Sequence, residues 1–453
     1  MIEVDNVSYS VEDQKLIKNI DFNVKEGECI VLCGESGCGK TTVTKTINGL
    51  IPHFYENGNM EGEVAVDKSI VGKTKMYELA KIIGSVFQNP KSQFFHTESE
   101  AELAFGLENQ GIEPEIISNR VEKVSEELHI QELLGRNIFK LSGGQKQMIA
   151  FASVYAANPK VYVLDEPSSN LDAVSIQNIK EIIKYLKSKE KTIVIAEHRL
   201  NYLNDVADRY IYISNGEIKT VYSKEEFLLL SDEARIKMGL RTNCSVKILV
   251  PENDRNTGDI MVKGVRIPYV EREINMCASA GDVLGIIGEN GAGKSTLCRI
   301  ICGLVKQISG EVCYNGKKSN RKERNKLCAF VMQDVNHQLF ADSVKEECML
   351  AKPDVNEAEL NKVLEEFDLM KYKEMHPMVL SGGQKQRLAV CQSVLSGKRV
   401  LIFDEPTSGL DYRHMMEISH VIKKLSESGY IILIVTHDIE FLNETCSAYV
   451  EIK

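Results

Sequence analysis

Residues 29–42 read "CIVLCGESGCGKTT" and residues 283–296 read "VLGIIGENGAGKST". Each stretch opens on a short, continuous apolar run and passes through an eight-residue glycine loop into a helical stretch. Gly34–Thr41 and Gly288–Ser295 both fit G-x-x-x-x-G-K-[ST] in the strand-to-helix setting that a phosphate-cradling loop requires. Its glycines let the backbone curl until N–H groups surround phosphate oxygens, and the positive end of the following helix reinforces them. The residues expected to line a bound nucleotide are Gly34, Glu35, Ser36, Gly37, Cys38, Gly39, Lys40, Thr41 and Thr42. In the second stretch they are Gly288, Glu289, Asn290, Gly291, Ala292, Gly293, Lys294, Ser295 and Thr296. Lys40 and Lys294 are placed to neutralise the β- and γ-phosphates, and the hydroxyls of Thr41 and Ser295 to ligate Mg²⁺.

The duplication extends well beyond the loops. "VFQNPKSQFF" (86–95) returns as "VMQDVNHQLF" (331–340), "LSGGQKQ" (141–147) returns unchanged at 380–386, and "VYVLDEPSSNLD" (161–172) returns as "VLIFDEPTSGLD" (400–411). Ser142 to Asp165 spans 23 residues, as does Ser381 to Asp404; Glu166 to His198 spans 32, as does Glu405 to His437. Repetition at this scale predicts two copies of one domain, over 1–220 and 261–453, with a linker over 221–260. That linker is nearly neutral, with six basic and seven acidic residues, and contains the loop-like "PENDRNTGD". Lys40 to Ser142 spans 102 residues against 87 from Lys294 to Ser381, so the middle of the first copy carries an insertion.

The runs Cys29–Cys33, Val161–Leu164 and Ile193–Ala196, with Val283–Ile287, Val400–Phe403 and Ile431–Val435, are short and rich in aliphatic residues. They read as strands of a mostly parallel sheet buried on both faces. Three- and four-residue apolar spacing near 116–134 and 357–370 reads as amphipathic helix, so each copy is expected to be an α/β domain.

Asp165 and Asp404 each end such a strand, where a carboxylate can hold Mg²⁺. The next residue in each copy, Glu166 or Glu405, is placed to act as the base that polarises an attacking water. His198 and His437 follow another buried strand at identical spacing and are expected to contact the γ-phosphate. Gln88 and Gln333 follow strand-like segments and could ligate Mg²⁺ or orient the water.

Composition limits the wider function. The chain has 453 residues, 43% apolar and 26% charged, and a net charge of −10, which argues against sequence-independent nucleic-acid binding. Its twelve cysteines contain no C-x-x-C, and buried reduced thiols suit them best. The start "MIEVDNVSYS" lacks a basic-then-apolar signal, and aliphatic runs such as Ile431–Val435 fall far short of the ~20 residues of a membrane span. Any membrane span is therefore expected from a partner.

With these residues in place, each copy resembles the ATP-binding cassette (ABC) family, possessing a Walker A loop, a Q-loop glutamine, an LSGGQ signature, a Walker B Asp-Glu, a D-loop ("SNLD", "SGLD") and a switch histidine. The resemblance implies two tandem P-loop NTPase domains, each a mostly parallel sheet core with an antiparallel β part and a helical subdomain. It also implies ATP and Mg²⁺ as cofactors and head-to-tail pairing of the cassettes. Ser142, Gly143, Gly144 and Gln145 would then meet the nucleotide at Lys294, and Ser381, Gly382, Gly383 and Gln384 the one at Lys40. Neither set of motifs is degenerate, so both sites are expected to hydrolyse ATP. An adenine-stacking aromatic falls at Tyr269 in the second copy; the first has Val11 there, and Tyr9 is expected to be a strand residue.

Among tandem cassettes, "VFQNPKSQFF" with "ELAFGLEN" (102–109), "AEHR" (196–199), and "VMQDVNHQLF" with "DSVKEE" (342–347) look most like energy-coupling factor (ECF) ATPases of vitamin and metal uptake. The resemblance implies a peripheral subunit on the cytoplasmic face of the membrane. Its partners would be a transmembrane coupling subunit and a separate substrate-binding membrane protein, with no nucleic acid. Fused sugar-importer ATPases tend to carry a degenerate cassette, and tandem translation factors a long basic linker; the latter is the alternative reading. The acids Glu98, Glu100 and Glu102, with Asp342, Glu346 and Glu347, are expected to form grooves for basic coupling helices, with Glu102 and Glu346 the positions for charge reversal. Met148 follows the first signature where Arg387 follows the second, a charge expected to make the sites unequal.

Overall fold

The computed structural model describes the chain except residues 13, 56, 170, 245, 268–271 and 453. It divides into two compact units, Met1–Ser245 with Gly409–Arg413, and Val246–Ser408 with His414–Lys453.

In the first unit, β1 (Ile2–Val11), β2 (Gln14–Val24), β4 (Gly58–Val66) and β5 (Ser69–Ile70) form an antiparallel sheet in the order β2-β1-β4-β5. The main sheet has the order β10-β9-β3-β8-β7-β6. It comprises β3 (Cys29–Cys33), β6 (Ile83–Val86), β7 (Val161–Asp165), β8 (Thr192–Ala196), β9 (Arg209–Ser214) and β10 (Glu217–Ser223). Only the β9–β10 hairpin is antiparallel. All five residues of β3 and of β8 are buried, as expected where two hydrophobic cores cover the two faces of a parallel sheet.

The second unit repeats this plan. Its antiparallel sheet is β12-β11-β14-β15, built from β11 (Ile260–Arg266), β12 (Ile274–Ala278), β14 (Ser309–Tyr314) and β15 (Lys317–Lys318). Its main sheet, β16-β17-β18-β13-β19, is parallel throughout. The strands are β13 (Val283–Gly288), β16 (Cys328–Val331), β17 (Val400–Asp404), β18 (Ile431–Val435) and β19 (Ala448–Ile452). A helical subdomain interrupts each unit, with helices Ser99–Glu108, Pro114–Glu127 and Gly143–Ala156 in the first and Val344–Ala351, Glu357–Glu366 and Gly382–Leu395 in the second.

The extra length of the first unit lies in two places. Lys40 to Gln88 spans 48 residues against 39 from Lys294 to Gln333, and Glu102 to His129 spans 27 against 21 from Glu347 to Asp368. The first excess includes the turn Leu50–His53 and a longer β4; the second lengthens two helices of the subdomain.

The segment expected to begin the linker is built into the first unit. After β10 come helices Lys224–Leu228 and Asp232–Lys237. Phe227 is fully buried and stacks on Tyr210 with ring centroids 3.8 Å apart. Residues 246–260 belong to the second unit, where the Asn253 N–H donates to the Tyr449 carbonyl at 2.7 Å and the Tyr449 N–H to the Pro251 carbonyl at 3.0 Å. The expected linker is thus divided between the units, its first part held in the core of the first by Phe227.

Candidate functional site

Each phosphate loop joins a buried strand to a helix, β3 to Lys40–Ile47 and β13 to Lys294–Ile301. Gly34 adopts φ 149°, and a Cβ there would lie 2.1 Å from the Ile213 carbonyl oxygen; at Gly288 (φ 143°) it would lie 2.2 Å from that of Ile452. Only glycine satisfies both the backbone angle and the approach of the neighbouring strand, β9 or β19. Gly37 and Gly291 also have positive φ, yet nothing lies within 4 Å of their missing Cβ, so the crest of each loop is open. Lys40, 4% exposed, curls over its loop and donates to the carbonyls of Gly34 (2.9 Å) and Glu35 (3.0 Å). Lys294 does the same with Gly288 (2.9 Å) and Glu289 (2.8 Å). The open crest and the preset ammonium suit an incoming anion.

Beside each lysine is a pair of oxygen donors. Thr41 Oγ1 donates to Asp165 Oδ1 at 3.0 Å, and Ser295 Oγ to Asp404 Oδ1 at 3.0 Å. Burial, then the neighbouring charge of Glu166, pushes the Asp165 carboxyl up to about 6, against the Thr41 hydrogen bond and the charges of Lys40 and Lys45. Asp404 is also raised by burial, against Ser295, Arg299 and Lys294. A hydroxyl and a buried carboxylate short of positive charge form a hard, all-oxygen donor set that fits Mg²⁺ completed by phosphate and water. Among the described residues no group of three or more His, Cys, Asp and Glu side chains could hold a metal alone.

The following glutamates have a backbone feature invisible in sequence. Glu166 (φ 46°) and Glu405 (φ 50°) are left-handed non-glycine residues. Their N–H groups bond across to the next strand's end, at Ala196 O (2.8 Å) and Val435 O (2.9 Å). Such a conformation costs on the order of 1 kcal/mol or more and persists only where its surroundings enforce it. Here it turns each carboxylate toward the histidine: His198 Nε2 lies 3.3 Å from Glu166 Oε1, and His437 Nε2 3.5 Å from Glu405 Oε1. Each imidazole also approaches its phosphate loop, His198 at 3.4 Å from Ser36 Oγ and His437 at 3.0 Å from Asn290 Oδ1. Gln88 and Gln333 both lie exposed just after β6 and β16, and Gln88 Nε2 donates to Glu166 Oε2 at 2.6 Å. Lysine, hydroxyl, aspartate, glutamate and histidine therefore converge in both units.

The signature residues sit elsewhere, at the exposed start of the helices Gly143–Ala156 and Gly382–Leu395. Ser142 and Gln145 form a reciprocal capping box, each side chain accepting the other's backbone N–H at 3.3 and 3.0 Å; Ser381 and Gln384 do likewise. Gly143 and Gly382 are exposed at these ends. A Cβ on Gly144 would lie 2.1 Å from Ser175 Oγ, so its helix packs too closely for a side chain; Gly383 has more room. Tyr269 lies outside the described residues. Tyr9 lies in β1 and is buried.

Two charge expectations require correction. Glu102 is 3% exposed and accepts the N–H groups of Phe95 (2.9 Å) and His96 (2.8 Å); Glu347, 1% exposed, accepts those of Phe340 (2.8 Å) and Ala341 (2.7 Å). These two acids are anchors of the turn after the Q-loop and are unavailable to a partner. Glu98, Glu100, Asp342 and Glu346 are exposed. Arg387 is not a loose charge beside the second signature either. It pairs with Glu417 at 2.8 Å and lies 3.8 Å from Asp368. Sequence reading also missed Phe95 and Phe340, 76% and 77% exposed at matching places; the repeated Q-x-F was the available signal.

The fold and these two sites define a tandem P-loop nucleotide-binding protein. Residues 17–169 and 272–408 match the family described as "ABC transporter", and the chain belongs to this family of ATP-binding, ATP-hydrolysing proteins. It is 46% identical to a "Putative ABC transporter ATP-binding protein" of Treponema denticola, over 99% of this chain and 94% of that protein. A protein of the same description from Saccharolobus solfataricus is 31% identical over 96% of this chain and 89% of its own length. A chain in a model of ribosome-bound archaeal Pelota and ABCE1 matches with a TM-score of 0.66 at 21% identity, over 98% of this chain and 76% of that one, a likeness of fold. Among the described residues no helix is long and apolar enough to cross a membrane.

Proposed function

We propose that this chain is the ATPase subunit of an ECF-type importer, working at the cytoplasmic face of the membrane and powering uptake of a vitamin, vitamin precursor or metal ion. The observation that carries the transport reading is the repeated surface beside Gln88 and Gln333. In both units a buried glutamate braces a turn that presents an exposed phenylalanine, with exposed acids on the helix that follows. An aromatic knob beside exposed carboxylates suits a basic, amphipathic helix of a transmembrane coupling subunit. The relatives' descriptions as transporter ATP-binding proteins support the same reading.

In this reading Lys40 and Lys294 neutralise phosphate, and Thr41 with Asp165, and Ser295 with Asp404, hold Mg²⁺, joined by Gln88 and Gln333. Glu166 and Glu405 act as bases, and His198 and His437 contact the γ-phosphate. Tyr269 stacks on adenine at the second site. Each signature, Ser142–Gln145 or Ser381–Gln384, completes the site of the opposite cassette, so that ATP binding closes the pair and hydrolysis releases it.

Replacing Glu166 or Glu405 with Gln is expected to cut steady-state hydrolysis by about 10²-fold or more with ATP binding retained; a fully active double variant refutes the assignment. Affinity capture from membranes should recover a transmembrane subunit and a separate substrate-binding membrane protein. Recovery of ribosomes instead would favour a tandem-cassette translation factor. Phe95→Ala with Phe340→Ala, or Glu100→Lys with Glu346→Lys, should abolish capture of the membrane subunit while leaving ATPase activity within about twofold.

A further inference from the structure

Around the strand that ends at each histidine, residues 239 apart correspond: Ser168 with Thr407, Glu197 with Thr436, His198 with His437, Arg199 with Asp438, and Tyr202 with Phe441. In the first unit a carboxylate precedes the histidine. Glu197 is 2% exposed, and its oxygens are saturated. Oε1 accepts the N–H groups of His198 (2.7 Å) and Arg199 (3.1 Å), while Oε2 accepts the Tyr202 hydroxyl (2.9 Å) and the Ser168 N–H (3.3 Å). One side chain thus ties the backbone at the histidine to the turn that follows Glu166.

In the second unit the carboxylate follows the histidine. Asp438 is 5% exposed; its Oδ2 accepts the Thr407 hydroxyl at 2.9 Å and its Oδ1 the Phe441 N–H at 3.1 Å. Thr436, in the place of Glu197, accepts the Asp438 N–H at 3.0 Å. The other exchanges fit this relocation. The tyrosine hydroxyl occurs where Glu197 needs a donor and is absent from Phe441, and the donating Thr407 hydroxyl meets Asp438. Burying a carboxylate carries a desolvation cost that a plain strand end need not bear. Both units nevertheless bury one at this place by different means, and their histidine-to-glutamate distances agree, 3.3 and 3.5 Å.

We propose that Glu197 and Asp438 are positioning residues, each fixing its histidine against Glu166 or Glu405 by locking the strand end to the turn after that glutamate. This rests on the roles proposed above for the histidines. The test compares kcat and KM for ATP in the full chain among His198→Ala, Glu197→Ala and a quadruple variant, Ser168→Thr, Glu197→Thr, Arg199→Asp and Tyr202→Phe, which installs the second unit's arrangement in the first. Glu197→Ala should lower kcat about tenfold with KM within about twofold, and the quadruple variant should return to within about threefold of the parent. The proposal is overturned if Glu197→Ala keeps the parent kcat while His198→Ala is impaired. It is also overturned if the quadruple variant folds and binds ATP yet is no faster than Glu197→Ala. Should Glu197→Ala fail to fold, the quadruple variant decides alone, folded and active in support or folded and inactive against. Parental activity in His198→Ala would remove the histidine assignment itself.

Discussion

At the scale of single residues, Asp165 shows what a site prepared for a cation costs in its absence. Its carboxyl titrates near 3.8 when unperturbed and at about 6 in the folded chain, so the folded state retains its proton over a range where the unfolded state has lost it. Stability attributable to this group therefore falls as pH rises between those values, and the penalty is complete above pH ~6. Asp165→Asn should raise the stability of the nucleotide-free chain by about 1–3 kcal/mol at pH 7.5, with little gain at pH 4. Thermal unfolding at both pH values checks this, and an equal gain at both would contradict it. The residue identities at the site were legible because strand ends and fixed spacings mark them. The left-handed backbone of Glu166 and Glu405 was not, because glutamate has no preference for it and only the crossing to the next strand imposes it.

At the scale of elements, the acids around the helix Ser99–Glu108 separate by geometry. Glu98, Glu100 and Glu102 look equivalent in sequence, yet only Glu102 turns back beneath the preceding turn to accept two N–H groups. Periodicity alone cannot predict this, since the turn it caps has no regular secondary structure. A buried carboxylate holding two backbone donors leaves both unsatisfied when removed. Glu102→Ala should therefore destabilise by about 2–4 kcal/mol in urea unfolding, against about 0.5 kcal/mol or less for Glu100→Lys. Similar losses from both would mean that Glu102 does no bracing. The same blindness to tertiary context applies to Val221–Ser245, whose mixed composition reads as a linker. Phe227 beneath Tyr210 makes it part of the core, and removing such a ring costs about 3–5 kcal/mol. A chain ending at Ser245 should accordingly unfold cooperatively and at a clearly higher urea midpoint than one ending at Thr220.

At the scale of the whole molecule, the repeat made the two-unit organisation legible, since six motifs recur in the same order with several intervals identical. How the units work together is a matter of which halves share a nucleotide, and spacing within a unit carries no information about that. The capping boxes sharpen the question. Ser142 with Gln145, and Ser381 with Gln384, already close each signature helix, so helix capping alone accounts for those residues, and a second role needs its own test. Head-to-tail sharing predicts a specific pattern of non-additivity, because changes that disable the same site cannot add whereas changes in different sites must. The pattern can be read as ATP retained per chain after gel filtration, with hydrolysis blocked by Glu166→Gln and Glu405→Gln. Lys40→Ala should reduce retention from about two ATP to about one, and adding Ser381→Arg should leave it there. Combining Lys40→Ala with Ser142→Arg should abolish retention, since the second change removes the site at Lys294. If each signature served its own cassette the two double variants would exchange outcomes, so the comparison distinguishes the arrangements without requiring that the two sites hydrolyse independently.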